Sequence, residues 1–282
     1  MKYTNKHNYP EYVYKWLATD DYDHNPDVVS ATGLMKPARM IALSKKHHGE
    51  LEIDVSDLVA SRYGTALHDS FEALDLGEIQ EQRFETTFFG TRISGKMDLV
   101  LDNVIRDFKS TSVWKYIKKE FDDYTRQLSI YRWLLHRCES HIPVAEWGQI
   151  CFLFTDWQSG KAKHDPSYPQ SRIATVDLAL NPYDELEQWI SNRLSAFKQA
   201  ETELPECTPH ELWETPTQYA VKKKGNKRAI KLYDSKGSAL DALKTGQVIE
   251  ERPGKVKRCN YCTCRPFCTQ YEELKKQGKV EA

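Results

Sequence analysis

The chain has 282 residues, 29% of them charged and 11% aromatic, with a net charge of −1. This composition excludes a disordered or fibrous chain and leaves room for one large domain or a core with an attached lobe. No apolar run reaches the length that crosses a bilayer and no apolar signal core opens the sequence, so the expected setting is a cytoplasm, its own cell's or a host's, without a membrane partner.

In chain order, residues 1–55 read as short helices and loops, with Pro37 suited to the first turn of a helix over residues 38–43. Ser56 is the expected N-cap of a second helix, whose apolar stripe runs through Leu58, Val59, Leu67, Phe71 and Leu74, with Gly64 as a weak point. Extended segments follow at 83–89, 91–101 and 104–109. Gly90 separates the first two, and Asp102 and Asn103 form a two-residue hairpin loop between the others. Residues 122–138 carry Leu128, Tyr131, Leu134 and Leu135 at helical spacing, and 147–156 reads as a buried strand. A hairpin through 160–169 then leads to an edge strand at 172–178. Asn181 and Pro182 open a helix that ends near 202. Beyond Pro205 the chain is polar and basic, with a helical piece near 238–245, and closes on cysteines. The expected division is an N-terminal segment (1–55), a core (56–204) and a basic C-terminal lobe (205–282).

The chemistry concentrates at the hairpin. Asp107 and Lys109 are two apart on one strand, so their side chains leave the same face. With Asp102–Asn103 as the loop, Leu101 pairs with Val104 and Asp98 falls opposite Asp107, Cβ atoms about 5 Å apart. Two carboxylates at that distance ionise together only around a cation, and oxygen ligands of this kind suit Mg²⁺ or Mn²⁺. A lysine on that face can orient or deprotonate an attacking water, or stabilise charge developing on a phosphate. The alternative is a surface hairpin with solvated charges. One feature strains the pairing, because the same register sets Lys96 against Lys109.

The stretches GKMDLV, IRDFKS and QLSIY, preceded by GTALHDSFE, resemble the RecB-like branch of the PD-(D/E)XK nucleases, which includes phage-type and CRISPR-associated exonucleases. The resemblance implies a restriction-endonuclease-like α/β core of a helix, a three-stranded antiparallel meander, a helix and a strand. It implies His68, Asp98 and Asp107 as metal ligands, Lys109 as the catalytic lysine, and Gln127 and Tyr131, one helical turn apart, as the Q-x-x-x-Y pair beside the active site and DNA. Glu72 is read as solvated and Glu85 as a distal acidic contributor. The resemblance further implies a DNA exonuclease in recombination, repair or phage DNA processing, in a bacterial cell or a phage-infected host. A restriction-type or structure-specific endonuclease and a non-catalytic DNA-binding protein are the alternatives. The chain has no G-x-x-x-x-G-K-[ST] motif, so unwinding falls to a helicase or single-strand annealing partner.

Seven cysteines are present, and Cys259, Cys262, Cys264 and Cys268 crowd together, which in a cytosolic protein reads as metal ligation before disulfide. Cys259, Cys262 and Cys268 fit C-x₂-C-x₅-C and resemble the C-terminal cysteines of iron–sulfur members of that branch. The resemblance implies a 4Fe–4S cluster completed by a distant cysteine. That cysteine lies upstream of the core in those relatives, and here Cys207 takes the place, with Cys264 as substitute. A Zn²⁺ site and free thiols are the alternatives. Cys138 and Cys151 read as core residues. Lys222, Lys223, Lys224, Lys227, Arg228 and Lys231 form a basic run, either a solvated loop or a DNA-phosphate contact, and Lys255, Lys257 and Arg258 a second.

Overall fold

The computed structural model describes residues 2–19, 25 and 27–280. In chain order the elements are β1 (Lys2–Thr4), α1 (Glu11–Ala18), β2 (Val28–Ser30), α2 (Ala31–Leu34), α3 (Ala38–Lys46), β3 (Glu52–Asp54) and α4 (Val59–Glu72). Then come β4 (Ile79–Phe88), β5 (Thr91–Leu101), β6 (Val104–Thr111), α5 (Val113–Ile117), α6 (Asp122–Arg137), β7 (Trp147–Phe154), α7 (Ser159–His164), β8 (Ile173–Ala179) and α8 (Tyr183–Ala200). The chain closes with β9 (Gln218–Lys223), β10 (Lys231–Tyr233), α9 (Lys236–Asp241), β11 (Gln247–Arg252) and α10 (Thr269–Lys276). Two compact units result, one of Lys2–Lys36 with Glu52–Lys198, the other of Pro37–Leu51 with the chain from Gln199 onward. No helix among the described residues is long and apolar enough to cross a membrane.

The first unit is a mixed α/β layer built on a six-stranded sheet, to which β2 adds parallel to β5, with β1 and β3 pairing separately in parallel. β4, β5 and β6 form the antiparallel meander, β6 runs parallel to β7, and β8 closes the edge antiparallel to β7. Asp102 and Asn103 both have positive φ (52° and 62°), the backbone of a tight hairpin turn whose twist matches its strands, and Leu101 pairs with Val104. The parallel step from β6 to β7 needs a crossover, and α5 and α6 supply it. Helix α6 buries Leu128, Ile130, Trp133, Leu134 and Leu135 in the main core with Ile105, Ile150 and Phe152 of the sheet. Trp133 Nε1 donates to Glu187 Oε1 at 2.8 Å, satisfying a buried indole from α8. Close approach of α6 to β5 depends on Gly95: a Cβ there would stand 2.8 Å from both Leu134 Cδ1 and Tyr131 Cε1.

Several sequence expectations are corrected. Ser56 is not the N-cap: Asp54 accepts the Ser56 N–H and caps a 3-10 turn, Val55–Leu58, that precedes α4. Residues 160–169 are not a hairpin, because 159–164 coil into α7, which rests Ala162 against the core. Strand β4 starts at Ile79 rather than residue 83. Cys138 and Cys151 are only partly buried, and Cys138 Sγ donates to the Glu85 carbonyl just beyond α6.

The second unit holds an antiparallel three-stranded sheet in the order β10-β9-β11, which the basic sequence around Lys222 conceals. Its apolar interior is small. Leu212, Val256, Cys259 and Leu274 form one buried cluster, and Leu43, Leu51 and Cys264 another.

Replacing Gly95 with valine forces α6 off the sheet. The expected loss is about 1–3 kcal/mol of stability, the usual cost of overpacking. Urea unfolding of the variant measures it, and an unchanged midpoint would mean that α6 has slack over β5.

Candidate active site

The site forms where two strands part. The β5–β6 ladder runs for three pairs, from Leu101↔Val104 to Leu99↔Arg106, and ends one step before Asp98 and Asp107. On the other edge of β5, β4 pairs continuously except at Glu81↔Asp98, where Glu81 has φ +46°. Side-chain alternation breaks at the same place: Met97 and Val100, an odd interval apart, both enter the main core. Backbone in a sparsely populated region is retained where the surroundings over-determine it, characteristically at functional sites. The break also removes the tension between Lys96 and Lys109. Lys96 Nζ lies 2.6 Å from Glu81 Oε2, and Lys109 Nζ lies 2.6 Å from Asp107 Oδ2.

Three donor groups converge in the gap. His68 on α4, Glu81 on β4 and Asp98 on β5 each place one ligand atom within 4.8 Å of the others. His68 Nδ1 is 2.9 Å from Glu81 Oε1 and 3.5 Å from Asp98 Oδ1, while Asp98 Oδ2 accepts the Phe108 N–H at 2.8 Å. Helix α4 is seated by Phe71, whose ring stacks on Phe108 at 3.9 Å. Asp107, 1% exposed, stands outside this triplet. Its Oδ1 accepts from Gln127 Nε2 at 3.1 Å, and Gln127 Nε2 also donates to the Tyr131 hydroxyl at 2.7 Å. The Q-x-x-x-Y pair on α6 thus orients the second carboxylate.

Glu81 is the residue that sequence reasoning missed. The run Gln80–Glu81–Gln82 has little β character, so the strand seemed to begin beyond it. Glu85, the acidic residue noted instead, is ion-paired with Arg92 at 2.6 Å. Glu72 is exposed.

The electrostatics are those of a cation site. Burial first, and the charge of Asp107 second, push the Asp98 carboxyl up to about 8. Burial works to raise Glu81 as well, but hydrogen bonds from His68 and Lys96 outweigh it and hold it below the usual range. His68 is raised, chiefly by its hydrogen bond to Glu81. Burial opposes the charged form of Lys109, and the charges of Asp107 and Asp98 more than compensate, so the amine is held as ammonium.

The second unit gathers the cysteines. Cys207, Cys259, Cys262, Cys264 and Cys268 all line one small pocket, with Arg39, Met40 and Leu43 of α3 on its wall. Burial and then the charge of Glu211 push the Cys207 thiol up to about 12. Among the described residues no three sulfurs lie within 4.8 Å of one another, whereas thiolates around one tetrahedral zinc, with bonds near 2.3 Å, stand about 3.8 Å apart. Cys264 is engaged by helix α3, its sulfur 3.0 Å from Ser44 Oγ and 3.7 Å from the Met40 carbonyl. In the basic run, Lys222 is ion-paired with Glu250 on β11. Lys223, Lys224, Lys227, Arg228 and Lys231 are exposed around the β9–β10 hairpin.

The sequence profile of the PD-(D/E)XK nuclease superfamily matches residues 55–269. Among solved structures, the chain is similar to SSO0001, at 16% identity over 65% of this chain and 83% of that one, with a TM-score of 0.41. It is also similar to a phage related exonuclease from Haemophilus somnus 129PT, at 17% identity over 68% and 92%, with a TM-score of 0.32. No curated protein matches.

Below about pH 8 the raised Asp98 carboxyl is protonated, so an entering cation must displace a proton. Mn²⁺ affinity should therefore rise from pH 6 toward 8 and then level. Calorimetry in two buffers of different ionisation enthalpy should show proton release at pH 7. Glu81→Gln should weaken binding by roughly 10- to 100-fold, and wild-type affinity in that variant would remove Glu81 from the ligand set.

Proposed function

Since the chain belongs to the PD-(D/E)XK nuclease superfamily, we propose that the gap between β5 and β6 hydrolyses phosphodiester bonds of DNA with a divalent cation. The observation that carries the reading is the convergence of His68, Glu81 and Asp98 beside the Asp107–Lys109 pair. A set rich in carboxylate oxygen suits Mg²⁺ and Mn²⁺, and its imidazole favours Mn²⁺. The bound cation supplies Lewis acidity to the phosphate oxygens and a water nucleophilic at neutral pH.

The chain's own groups do the rest. Lys109, held as ammonium, donates to a non-bridging phosphate oxygen as charge builds there, which is electrostatic stabilisation rather than base catalysis. Gln127 fixes the rotation of the Asp107 carboxylate, and Tyr131 accepts the second amide proton of Gln127. Water attacks phosphorus in line as the bond to the leaving oxygen breaks; the attacking water gives its proton to solvent and the leaving oxygen takes one from solvent, without a covalent enzyme intermediate.

Resemblance to the RecB-like branch favours exonucleolytic cutting, with a helicase or single-strand annealing partner exposing the strand. The exposed cations of the β9–β10 hairpin suit phosphate contacts, while Lys222 is committed to Glu250. A 4Fe–4S cluster held by Cys207, Cys259, Cys262 and Cys268 is supported by the five cysteines that line one pocket and by the C-x₂-C-x₅-C resemblance, with Zn²⁺ as the alternative. Such a cluster would clamp distant segments of a unit with a small core. Cys264, tied to Ser44, is the reserve ligand.

With Mn²⁺, linear DNA should be degraded and closed circles spared. Lys109→Ala should lower the rate by about 10²–10³-fold, with cation affinity retained. Equal nicking of circles would overturn the exonuclease reading, and binding without cleavage with Mg²⁺ or Mn²⁺ would overturn catalysis. Anaerobically purified protein should be brown and carry iron. Cys259→Ser should lose both properties, and colourless protein with stoichiometric zinc would overturn the cluster.

A further inference from the structure

Arg39, at the start of α3, is 5% exposed, yet none of its contacts carries a fixed negative charge. Its Nε donates to Cys268 Sγ at 3.2 Å. Its Nη1 donates to the carbonyls of Leu204 (3.4 Å) and Pro205 (3.1 Å), and its Nη2 to Thr269 Oγ1 at 2.6 Å. Among the described residues no carboxylate pairs with it. A buried guanidinium stays charged, and a buried charge without a counter-charge is costly. Of its four partners only Cys268 can become one.

Resting on the cluster reading above, we infer that Arg39 is the counter-charge and positioning residue of the cysteine-held metal centre. A metal-ligating cysteine is a thiolate, and a four-iron cluster with four thiolates carries net negative charge. Arg39 places a permanent cation and one N–H···S hydrogen bond against it. Both stabilise the reduced form, because net charge and hydrogen bonds to sulfur set the potential of such a centre. The same fork grips the chain just before Cys207 through two carbonyls, and Cys268–Thr269 at the head of α10. One side chain from α3 thus registers two ligand segments more than fifty residues apart in sequence. Lysine in its place would keep the charge and lose the fork.

The test compares full-length wild type with Arg39→Met and Arg39→Lys, purified anaerobically. The readouts are iron and sulfide content, the visible band, the midpoint potential by redox titration, and the bleaching rate in chelator. Arg39→Met should disfavour reduction by about tenfold, about 59 mV more negative for one electron, and should bleach several-fold faster. Arg39→Lys should fall between. If Arg39→Met is insoluble, Arg39→Lys decides, because it lacks the sulfur hydrogen bond. Iron-loaded variants with wild-type potential and bleaching rate would overturn the inference and leave the cluster standing. Wild type without iron would overturn the cluster reading and the inference with it.

Discussion

Two buried carboxylates at one fork in a sheet repel, and much of the local architecture exists to make that tolerable. At about 5 Å and an effective dielectric constant near 20, the repulsion of two unit charges is about 3 kcal/mol, added to a desolvation cost of several kcal/mol per ion. A regular hairpin would leave Asp98 and Asp107 facing each other with only that repulsion. Instead the ladder stops at Leu99↔Arg106, and each carboxylate receives its own set of donors. Asp98 takes the Phe108 N–H and approaches His68, and Asp107 takes Gln127 and Lys109. On the proposed reading a divalent cation would offset what remains, and the arrangement that is costly for folding would serve chemistry.

The helices follow from this constraint. Helix α4 must deliver an imidazole to the carboxylates, and the stacked Phe71 and Phe108 rings fix its height over β6. Helix α6 must deliver an amide to Asp107, and Gly95 lets it lie close enough on β5 for Gln127 to reach. Glu81 joins through a backbone distortion rather than a helix. Its positive φ coincides with the break in the alternation of β5, so the ligand and the opening of the fork arise at one point.

Much of the first unit was legible because its signals are local. The Asp102–Asn103 turn, the apolar run of β7 and the helical spacing of α6 each state their element within a few residues. Counting back from the turn finds Asp98 opposite Asp107, but cannot find the backbone distortion at Glu81, where one β4–β5 pair is lost and the register continues unchanged on either side. The Lys96–Lys109 conflict was the one trace of it in the sequence. The three-stranded sheet of the second unit was hidden for another reason. On β9 only Ala220 and Val221 are buried, and the lysines that follow read as a solvated loop. The hairpin expected over 160–169 fails because its breaker chemistry at Ser159–Gly160 is overridden by tertiary contact through Ala162 of α7.

The two units pose opposite electrostatic problems. Around Asp98, burial and the neighbouring Asp107 hold the carboxyl protonated below about pH 8, so a cation that binds there takes the place of a proton. Around Arg39, a buried positive charge faces neutral oxygens and a thiol, the ground on which an anionic, sulfur-held centre is inferred. A zinc ion with four thiolates is also anionic, so charge alone does not choose between the metals. What both centres share is anionic sulfur, and the five cysteines that line one pocket would supply it beside Arg39.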